Sequence, residues 1–381
     1  MNKAISTIGL LVVLVGLIVG LRFLAGQSGD RPRERNYAQE APLPELPETD
    51  SKEEQAQPVD EAITNFSAID KFARATSDRH GSTIQEIAAH LESACENDLE
   101  KARAIYVWLT KNIRYDDEAY NSGQSGAYKA REVFRVRKAV CEGFSNLYVA
   151  MGEAMDLEIE KVIGYSKGVS YVPGSRLGDS DHAWNAIRIN GKWRVFDATW
   201  GEGNGAFIDG KLVSKKDFND YWFNVDPYEA IFNHYPEKEK FVFVEPAISL
   251  RDYEQLPYIR SAYFKLGFDG KATFQKALSN PDHEFPFCFD FNSNIQLIKA
   301  PAQAELVVGK SYPFEFESAS VKSIAAIRTD ADWAYFKQEG NRFKLNYFVE
   351  ELGALTIGVK DRSTGQSFES VLKYELVRRE L

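Results

Sequence analysis

The stretch DHAWNAIRINGKWRVFDATWG, residues 181–201, decides the fold of the chain around it. Two runs rich in β-branched and aromatic residues, 182–189 and 193–200, flank the dipeptide Asn190-Gly191. Asn-Gly between such runs is the strongest short-range signal for a hairpin with a two-residue loop, because both turn positions need a positive φ. The stretch therefore predicts two antiparallel strands.

The two-residue loop also fixes which residues face each other across the hairpin. Counting outward from the turn places Trp184 opposite Asp197, and His182 opposite Thr199. Cross-strand partners share a face, so His182 and Asp197 become diagonal neighbours with backbones about 7–8 Å apart. A carboxylate at that distance can hydrogen-bond one imidazole nitrogen and leave the other for a nucleophile. A bulge of one residue would instead put Asp197 on the opposite face, leaving two unrelated surface residues.

The candidate nucleophile is a cysteine. Cys95, Cys141 and Cys288 are too few for a disulfide framework and form no C-x-x-C pair typical of zinc sites. Cys141 opens a helix predicted over about residues 140–155, and the positive end of a helix favours the thiolate that attacks in a Cys-His pair. Arg137, with Lys138 beside it, adds positive charge nearby in sequence. An isolated cysteine at such a position is nevertheless more often a core residue.

Three sequence blocks, in this order, resemble the transglutaminase-like superfamily. They are VCEGFS at 140–145, DHAWN at 181–185 and WRVFDATWG at 193–201. They are similar to the family's Cys-x-Gly-aromatic-small motif, its His-Ala-Trp-Asn strand and its Trp-x-x-x-Asp-x-Thr-Trp-Gly strand. The spacing fits as well, since the histidine follows the cysteine by 41 residues and the aspartate follows after 15 more.

Further blocks resemble the kyphoscoliosis-peptidase-like branch of that family. Residues 108–116 look like the helix before the cysteine segment, and 224–227 with 234–236 look like a later segment of this branch. The resemblance covers about residues 65–240. It implies an α+β, papain-like core, in which the helix that carries the cysteine packs on the antiparallel sheet that carries the histidine and aspartate.

Residue by residue, the resemblance implies Cys141 as nucleophile, His182 as general base and acid, and Asp197 as the residue that orients the imidazole. The backbone N–H of Cys141 is expected as one oxyanion donor, and its side-chain partner stays unassigned. Asp181 is a candidate for the substrate cleft, with surface solvation as the alternative. Trp184 is a further cleft candidate, with packing beside the site as its alternative.

No metal or cofactor is expected from the sequence. His80, His90, His234 and His283 lack metal-ligand spacing, and no phosphate-binding glycine loop or calcium loop occurs. His234 is expected to be structural.

The pattern divides the chain into four segments. Residues 1–24 contain an uncharged run at 4–21 that is just long enough for a transmembrane anchor, with a signal segment as the alternative. Residues 25–62, rich in Glu, Pro, Gln, Arg and Ser, predict a flexible linker. Residues 63–242 predict the transglutaminase-like domain. Residues 243–381, strand-like and aromatic without a long helical pattern, predict a β-rich region built as a β-sandwich.

The N-terminal run also leads to a prediction of location. Four arginines after the run favour a cytoplasmic body by the positive-inside rule. An N-terminal apolar segment most often serves export, however, so a membrane-anchored protein with a periplasmic or extracellular body is expected.

Composition limits the function further. The 381 residues carry a net charge of −10 and no long basic stripe, which argues against nucleic acid as a partner. The site predicts thiol-dependent acyl transfer on peptide or protein amides, with water as acceptor in a cysteine protease or amidase and an amine in a transglutaminase. The resemblance favours hydrolysis. The alternatives are a catalytically silent scaffold, as in some branches of the family, and a cell-envelope binding protein that acts through its β-rich tail.

Overall fold

The computed structural model describes residues 65–124, 126–168, 170–329, 332–361 and 367–379. The predicted segments 1–24 and 25–62 lie outside these residues. The helices are α1 Ser67–Ala75, α2 Ile84–Glu92, α3 Asp98–Asn112, α4 Asp117–Ser122, α5 Ala130–Val136, α6 Cys141–Glu153, α7 Ala198–Glu202, α8 Pro227–Ala230, α9 Leu250–Gln255, α10 Ser261–Leu266 and α11 Gly270–Ser279. Short 3₁₀ helices cover Asp220–Trp222 and Glu239–Phe241.

The strands lie mostly after α6. They are β1 Arg114–Tyr115, β2 Lys138–Ala139, β3 Ile159–Ser166, β4 His182–Ile189, β5 Lys192–Phe196, β6 Gly203–Ile208, β7 Lys211–Lys216, β8 His234–Pro236, β9 Phe287–Cys288, β10 Gln296–Lys299, β11 Glu305–Val307, β12 Ser311–Glu317, β13 Ser323–Thr329, β14 Asp332–Tyr335, β15 Lys337–Glu339, β16 Arg342–Phe348, β17 Gly353–Lys360 and β18 Glu369–Val377. The fold is α+β with a β-rich C-terminal region, as predicted.

The prediction of a membrane anchor, and with it of an extracytoplasmic body, is contradicted. Along the described residues, no helix is both long and apolar enough to cross a membrane. The longest of them, α3, has 15 residues. It would span about 22 Å, against a hydrocarbon core of about 30 Å. Residues 4–21, on which the prediction rested, lie outside the described residues, so no anchor is in evidence.

The predicted hairpin forms in the predicted register. β4 pairs with β5 from Ile189 opposite Lys192 to Asn185 opposite Phe196. Asn190 and Gly191 turn the chain with φ of 50° and 78°, the left-handed values that favour these two residue types. The sheet continues in the antiparallel order β5-β4-β3-β8, and α6 packs against β4 and β3.

The second strand of the hairpin ends earlier than predicted. The run 193–200 was expected to be extended throughout, but β5 stops at Phe196 and α7 begins at Ala198. Asp197 lies between them as the N-cap, and its side chain accepts hydrogen bonds from the N–H groups of Thr199 and Trp200. A carboxylate that accepts these backbone N–H groups favours the start of a helix over continued pairing of the strand. Here the chain therefore leaves the strand at Asp197 and enters α7.

The region after residue 242 contains helices as well as strands. Residues 250–279, predicted to be strand-like, hold α9, α10 and α11. The strands that follow form one sheet of order β10-β12-β16-β15 and another of order β11-β18-β17-β13-β14, with β9 beside β18. Phe314 and Phe343 of the first sheet are buried in the same cluster as Leu355 and Leu372 of the second.

Buried apolar side chains of the described residues gather in two clusters. One surrounds Trp108 of α3 and Phe144 of α6. The other joins α9–α11 to the C-terminal sheets and already includes Phe232 and Tyr235. Residues 62–381 form one compact unit. The predicted division of this unit into two domains, between residues 242 and 243, stays a prediction.

Candidate active site

Cys141 is the first residue of α6, directly after β2 and the extended N-cap residue Val140. The glycine two residues later lets the helix begin there. A Cβ atom at Gly143 would lie 2.5 Å from the Cβ of Ala139 and 2.7 Å from the carbonyl oxygen of Ala127. The Cys-x-Gly spacing therefore brings the first turn of α6 against β2, and the Cys141 thiol is free and half-buried.

The cationic side chains that precede Cys141 in sequence are engaged elsewhere. Arg137 binds Asp78 at 2.5 Å and lies over the ring of Phe134. Lys138 binds Asp116 at 3.0 Å. The expected contribution of these two charges to the thiol therefore has no contact to support it.

His182 begins β4 and meets Asp197 at the end of β5. Its Nε2 lies 2.7 Å from Oδ2 of Asp197, the diagonal contact expected from the hairpin register. Both side chains are buried, Asp197 completely. Cys141 lines the same cleft as His182 and is among the groups that raise the pKa of the His182 imidazole. Because Asp197 occupies Nε2, the ring nitrogen available to the thiol is Nδ1.

The charges of this pair reinforce each other. Burial by itself would lower the pKa of His182, but the charge of Asp197, its hydrogen bond to His182 and the influence of Cys141 outweigh burial and raise that pKa. Burial would raise the pKa of Asp197, but His182 and His234 outweigh it and hold that pKa well below its ordinary value. An imidazolium beside a carboxylate is thus the favoured state of the pair.

A second histidine, His234 of β8, contacts the same carboxylate. Its Nε2 lies 3.0 Å from Oδ2 of Asp197, and its side chain is buried. Burial lowers the pKa of His234 more than Asp197 raises it. The sequence offered only the block at 234–236 as a signal for this residue. Its position depends on the pairing of His234 with Ser166 of β3, which no local pattern indicates.

Tryptophan rings enclose the two imidazoles. Trp200 is stacked on His182 with ring centroids 5.1 Å apart and lies 4.4 Å from His234. Trp222 and Trp184 lie 5.0 Å and 4.9 Å from His234. These rings keep water from the hydrogen bonds beneath them and so strengthen those bonds. Trp184 is 3% exposed and packs on both histidines.

A cleft of about 620 Å³ opens at Cys141 and His182. One side is formed by the β6–β7 hairpin, and another by Tyr258 and Arg260 from the C-terminal region. Asp181 also lines the cleft. Its carboxylate accepts a hydrogen bond of 2.7 Å from the backbone N–H of Ser166, which fastens the start of β4 to the end of β3.

His182, Asp197 and His234 offer three donor atoms that could in principle hold a metal ion. Their geometry fits hydrogen bonds better. Both histidine Nε2 atoms lie 2.7 Å and 3.0 Å from one and the same oxygen. A tetrahedral zinc ion with bonds of about 2.0–2.1 Å would keep its donor atoms about 3.3 Å apart. The set is therefore a hydrogen-bonded network centred on Asp197.

Comparison with known proteins agrees with this fold and order of residues. The model of the transglutaminase-like superfamily matches residues 85–198, a range that contains Cys141, His182 and Asp197. Residues 85–198 thus form a transglutaminase-like core with the papain-like cysteine protease fold. Within the superfamily it falls in the branch of kyphoscoliosis peptidase.

The relatives in this branch match over about half of the chain. Kyphoscoliosis peptidase of Homo sapiens is 31% identical over 206 residues, which cover 54% of this chain and 31% of that protein. Hillarin of Drosophila melanogaster is 28% identical over 247 residues, covering 61% and 29%. Cytokinesis protein 3 of Schizosaccharomyces pombe is 25% identical over 205 residues, covering 53% and 23%. The chain thus spans about a third of the length of these relatives or less.

Solved structures with detectable likeness include a putative cysteine protease from Cytophaga hutchinsonii. It has 26% identity and a TM-score of 0.25, and the match covers 39% of this chain and 46% of that one. Red sea bream transglutaminase has 10% identity and a TM-score of 0.27, and the match covers 82% and 58%.

Proposed function

We propose that this protein is a thiol-dependent acyl-transfer enzyme that acts on peptide or protein amides and passes the acyl group to water, as a cysteine protease or amidase. The observation that carries the proposal is the position of His182. It lines one cleft together with Cys141 and hydrogen-bonds the fully buried Asp197 carboxylate. Such an arrangement suits a nucleophile, a base and an orienting carboxylate.

The chemistry proceeds in two halves. The reaction begins with Cys141 as a thiolate and its proton on His182, and Sγ forms a bond to the amide carbonyl carbon, whose oxygen becomes an oxyanion. Cys141 is the first residue of α6, where the backbone N–H has no intrahelical acceptor and can donate to that oxyanion. The C–N bond then breaks as His182 gives its proton to the leaving amine, leaving a thioester on Cys141.

Water completes the reaction. It enters the cleft, loses a proton to His182 and attacks the thioester carbon. The C–S bond breaks and the carboxylic acid leaves, so Cys141 is released as a thiolate beside His182, which carries the proton taken from water. A primary amine in place of water would give cross-linking by the same steps, so the acceptor separates the two activities.

The rate of Cys141 alkylation by iodoacetamide, measured against pH in the full chain, tests the proposal. We expect fast alkylation at about pH 6, where an ordinary thiol is protonated, and its loss in His182→Ala. Cys141→Ser identifies the signal. The other thiols give little background, because burial raises the pKa of Cys95 to about 12 and also raises that of Cys288. Equal slow rates in the wild type and in His182→Ala would reject an activated nucleophile.

The acceptor is identified in a second measurement. The wild type and Cys141→Ser are incubated with casein and a fluorescent primary amine. New amino termini that depend on Cys141 support hydrolysis, whereas fluorescent casein supports amine transfer and contradicts the proposed acceptor.

A non-catalytic scaffold is the alternative, and the match to cytokinesis protein 3 favours it. If the protein is a scaffold, Cys141→Ser should keep every cellular interaction of the wild type. In the alkylation assay, the wild-type thiol should then react no faster than that of His182→Ala. Activation of the thiol by His182 would speak against it.

A further inference from the structure

We infer that His234 is a positioning residue of this site: it donates its Nε2–H to Oδ2 of Asp197 and holds the carboxylate in the orientation that keeps His182 directed at Cys141. The inference rests on the proposed function. It gives a role in the reaction to a histidine that comes 37 residues after Asp197 in sequence and belongs to a different strand.

The hydrogen bonds of Asp197 leave no freedom to the carboxylate. Oδ1 accepts hydrogen bonds from the backbone N–H groups of Thr199 and Trp200, at 2.8 Å and 3.0 Å. Oδ2 forms hydrogen bonds with Nε2 of His182 at 2.7 Å and with Nε2 of His234 at 3.0 Å. An ionised carboxylate has about four acceptor positions, and four donors occupy them. Removal of His234 would leave one acceptor position of the fully buried Asp197 carboxylate without its donor.

The proton on His234 has only one place. Burial lowers the pKa of its imidazole, so the ring is neutral and carries a single proton. An ionised carboxylate can only accept a hydrogen bond, so that proton must lie on Nε2, facing Asp197. Nδ1 is buried and has no hydrogen-bond partner among the described residues, so no second contact opposes this tautomer.

The two histidines that contact Oδ2 of Asp197 therefore have different roles. The charge of Asp197 raises the pKa of His182, whereas burial lowers the pKa of His234, and the positive charge of His182 lowers it further. His182 can gain and lose a proton beside the thiol. His234 stays neutral and only donates. A phenylalanine at position 234 would fill the space among the tryptophans without donating, and a glutamine would restore an N–H donor.

Alkylation of Cys141 by iodoacetamide separates positioning from packing. The full chain is compared as wild type, His182→Ala, His234→Phe and His234→Gln. At about pH 6 we expect His234→Phe to be slower than the wild type by about 10- to 100-fold, and His234→Gln to recover most of that loss. At about pH 10, where thiols ionise without help, all folded variants should react at similar rates, because a positioned His182 is no longer needed.

The outcomes are distinguishable. If the wild type reacts no faster than His182→Ala at about pH 6, the proposed function fails and the inference fails with it. If the wild type is activated and His234→Phe equals it, only the inference is overturned. A His234→Phe variant that is slow at both pH values, or a His234→Gln variant as slow as His234→Phe, indicates a merely structural role and also overturns it.

A second test measures the tautomer of His234 in the wild type, and a variant is used only to assign its signals. The chain is labelled with ¹⁵N-histidine, and long-range ¹H–¹⁵N spectra report which ring nitrogen of each histidine is protonated. The His234 signals are those absent from His234→Gln. A neutral Nε2–H tautomer from about pH 6 to 8 is expected. An Nδ1–H tautomer or a charged ring in that range would refute the inference.

Discussion

At the scale of single residues, Asp197 performs two tasks that usually fall to different side chains. One oxygen caps α7 through the N–H groups of Thr199 and Trp200, and the other receives two imidazoles. The capping contact restrains the side-chain rotamer of Asp197 independently of the two histidines. The site geometry is therefore partly a by-product of helix initiation, which explains why the aspartate lies where the strand ends.

Asp197→Asn tests the charge at this position. The amide keeps an oxygen for the cap but removes the negative charge that offsets the burial of His182. We expect the pKa of His182 to fall from its raised value, since the charge of Asp197 no longer offsets burial. NMR titration of ¹⁵N-labelled histidines measures this change. A His182 that titrates as in the wild type would show that Asp197 is not its charge partner.

The stability of the protein should depend on pH through His182. A raised folded-state pKa contributes stability that is complete below the unfolded value of about 6.5 and is lost as pH rises toward the folded value. The difference in unfolding free energy between the wild type and His182→Gln should therefore shrink from about pH 6 to about pH 9. Urea denaturation at several pH values measures it.

His283→Gln is the matched control for that comparison. His283 is half-exposed, and its Nε2 contacts only a backbone carbonyl, that of Ala302, among the contacts described for it. A difference between wild type and His182→Gln that stays constant over the pH range would contradict the expected coupling.

At the scale of elements, sequence predicted what is local and missed what is long-range. The hairpin register followed from Asn190-Gly191, because a two-residue loop leaves no other pairing. The end of β5 was wrong, since hydrophobic alternation continues to Trp200 while the Asp197 cap already starts α7. The helices at 250–279 were missed because α9 and α10 have only 6 residues each, too few to show a helical period.

The first turn of α6 makes a testable element of its own. Gly143→Ala would force a methyl group against Ala139 and the carbonyl of Ala127, so α6 must move away from β2. We expect a loss of about 1–3 kcal/mol of unfolding free energy and slower alkylation of Cys141 at about pH 6. Gly178→Ala is the control, because a Cβ atom there meets nothing within 4 Å. Equal stability of the two variants would contradict tight packing at this turn.

At the scale of the whole molecule, residues far apart in sequence build the cleft. Cys141 and His182 come from the superfamily core, whereas Tyr258 and Arg260 come from the region beyond residue 242. No pattern in the sequence indicated this, because the segment 256–260 returns to the core only through tertiary packing. Lys167, on the cleft wall, donates hydrogen bonds to the carbonyls of Tyr253 and Leu256 and fastens that segment in place.

The contribution of the C-terminal region to the cleft can be measured with reagents of different size. Arg260→Ala should leave the alkylation of Cys141 by iodoacetamide unchanged, since the small reagent needs no wall. With a peptide chloromethyl ketone, the rate should change several-fold relative to the wild type, in a manner that depends on the peptide sequence. Arg379→Ala, which removes a surface pair with Glu305, serves as control. If the ratio of the chloromethyl ketone rate to the iodoacetamide rate is the same for Arg260→Ala and the wild type, the peptide does not contact Arg260.

The wall formed by Tyr258 and Arg260 also bears on how the protein fails under stress. Phe232 and Tyr235, close to His234 in the chain, are buried with α9–α11 rather than with the core that holds the thiol. Partial melting that begins in the C-terminal sheets would thus reach β8 and then Asp197, so that damage to a remote region silences the thiol before the thiol's own helix unfolds. The contact between His182 and Asp197 would then be lost while Cys141 is still held in a folded helix.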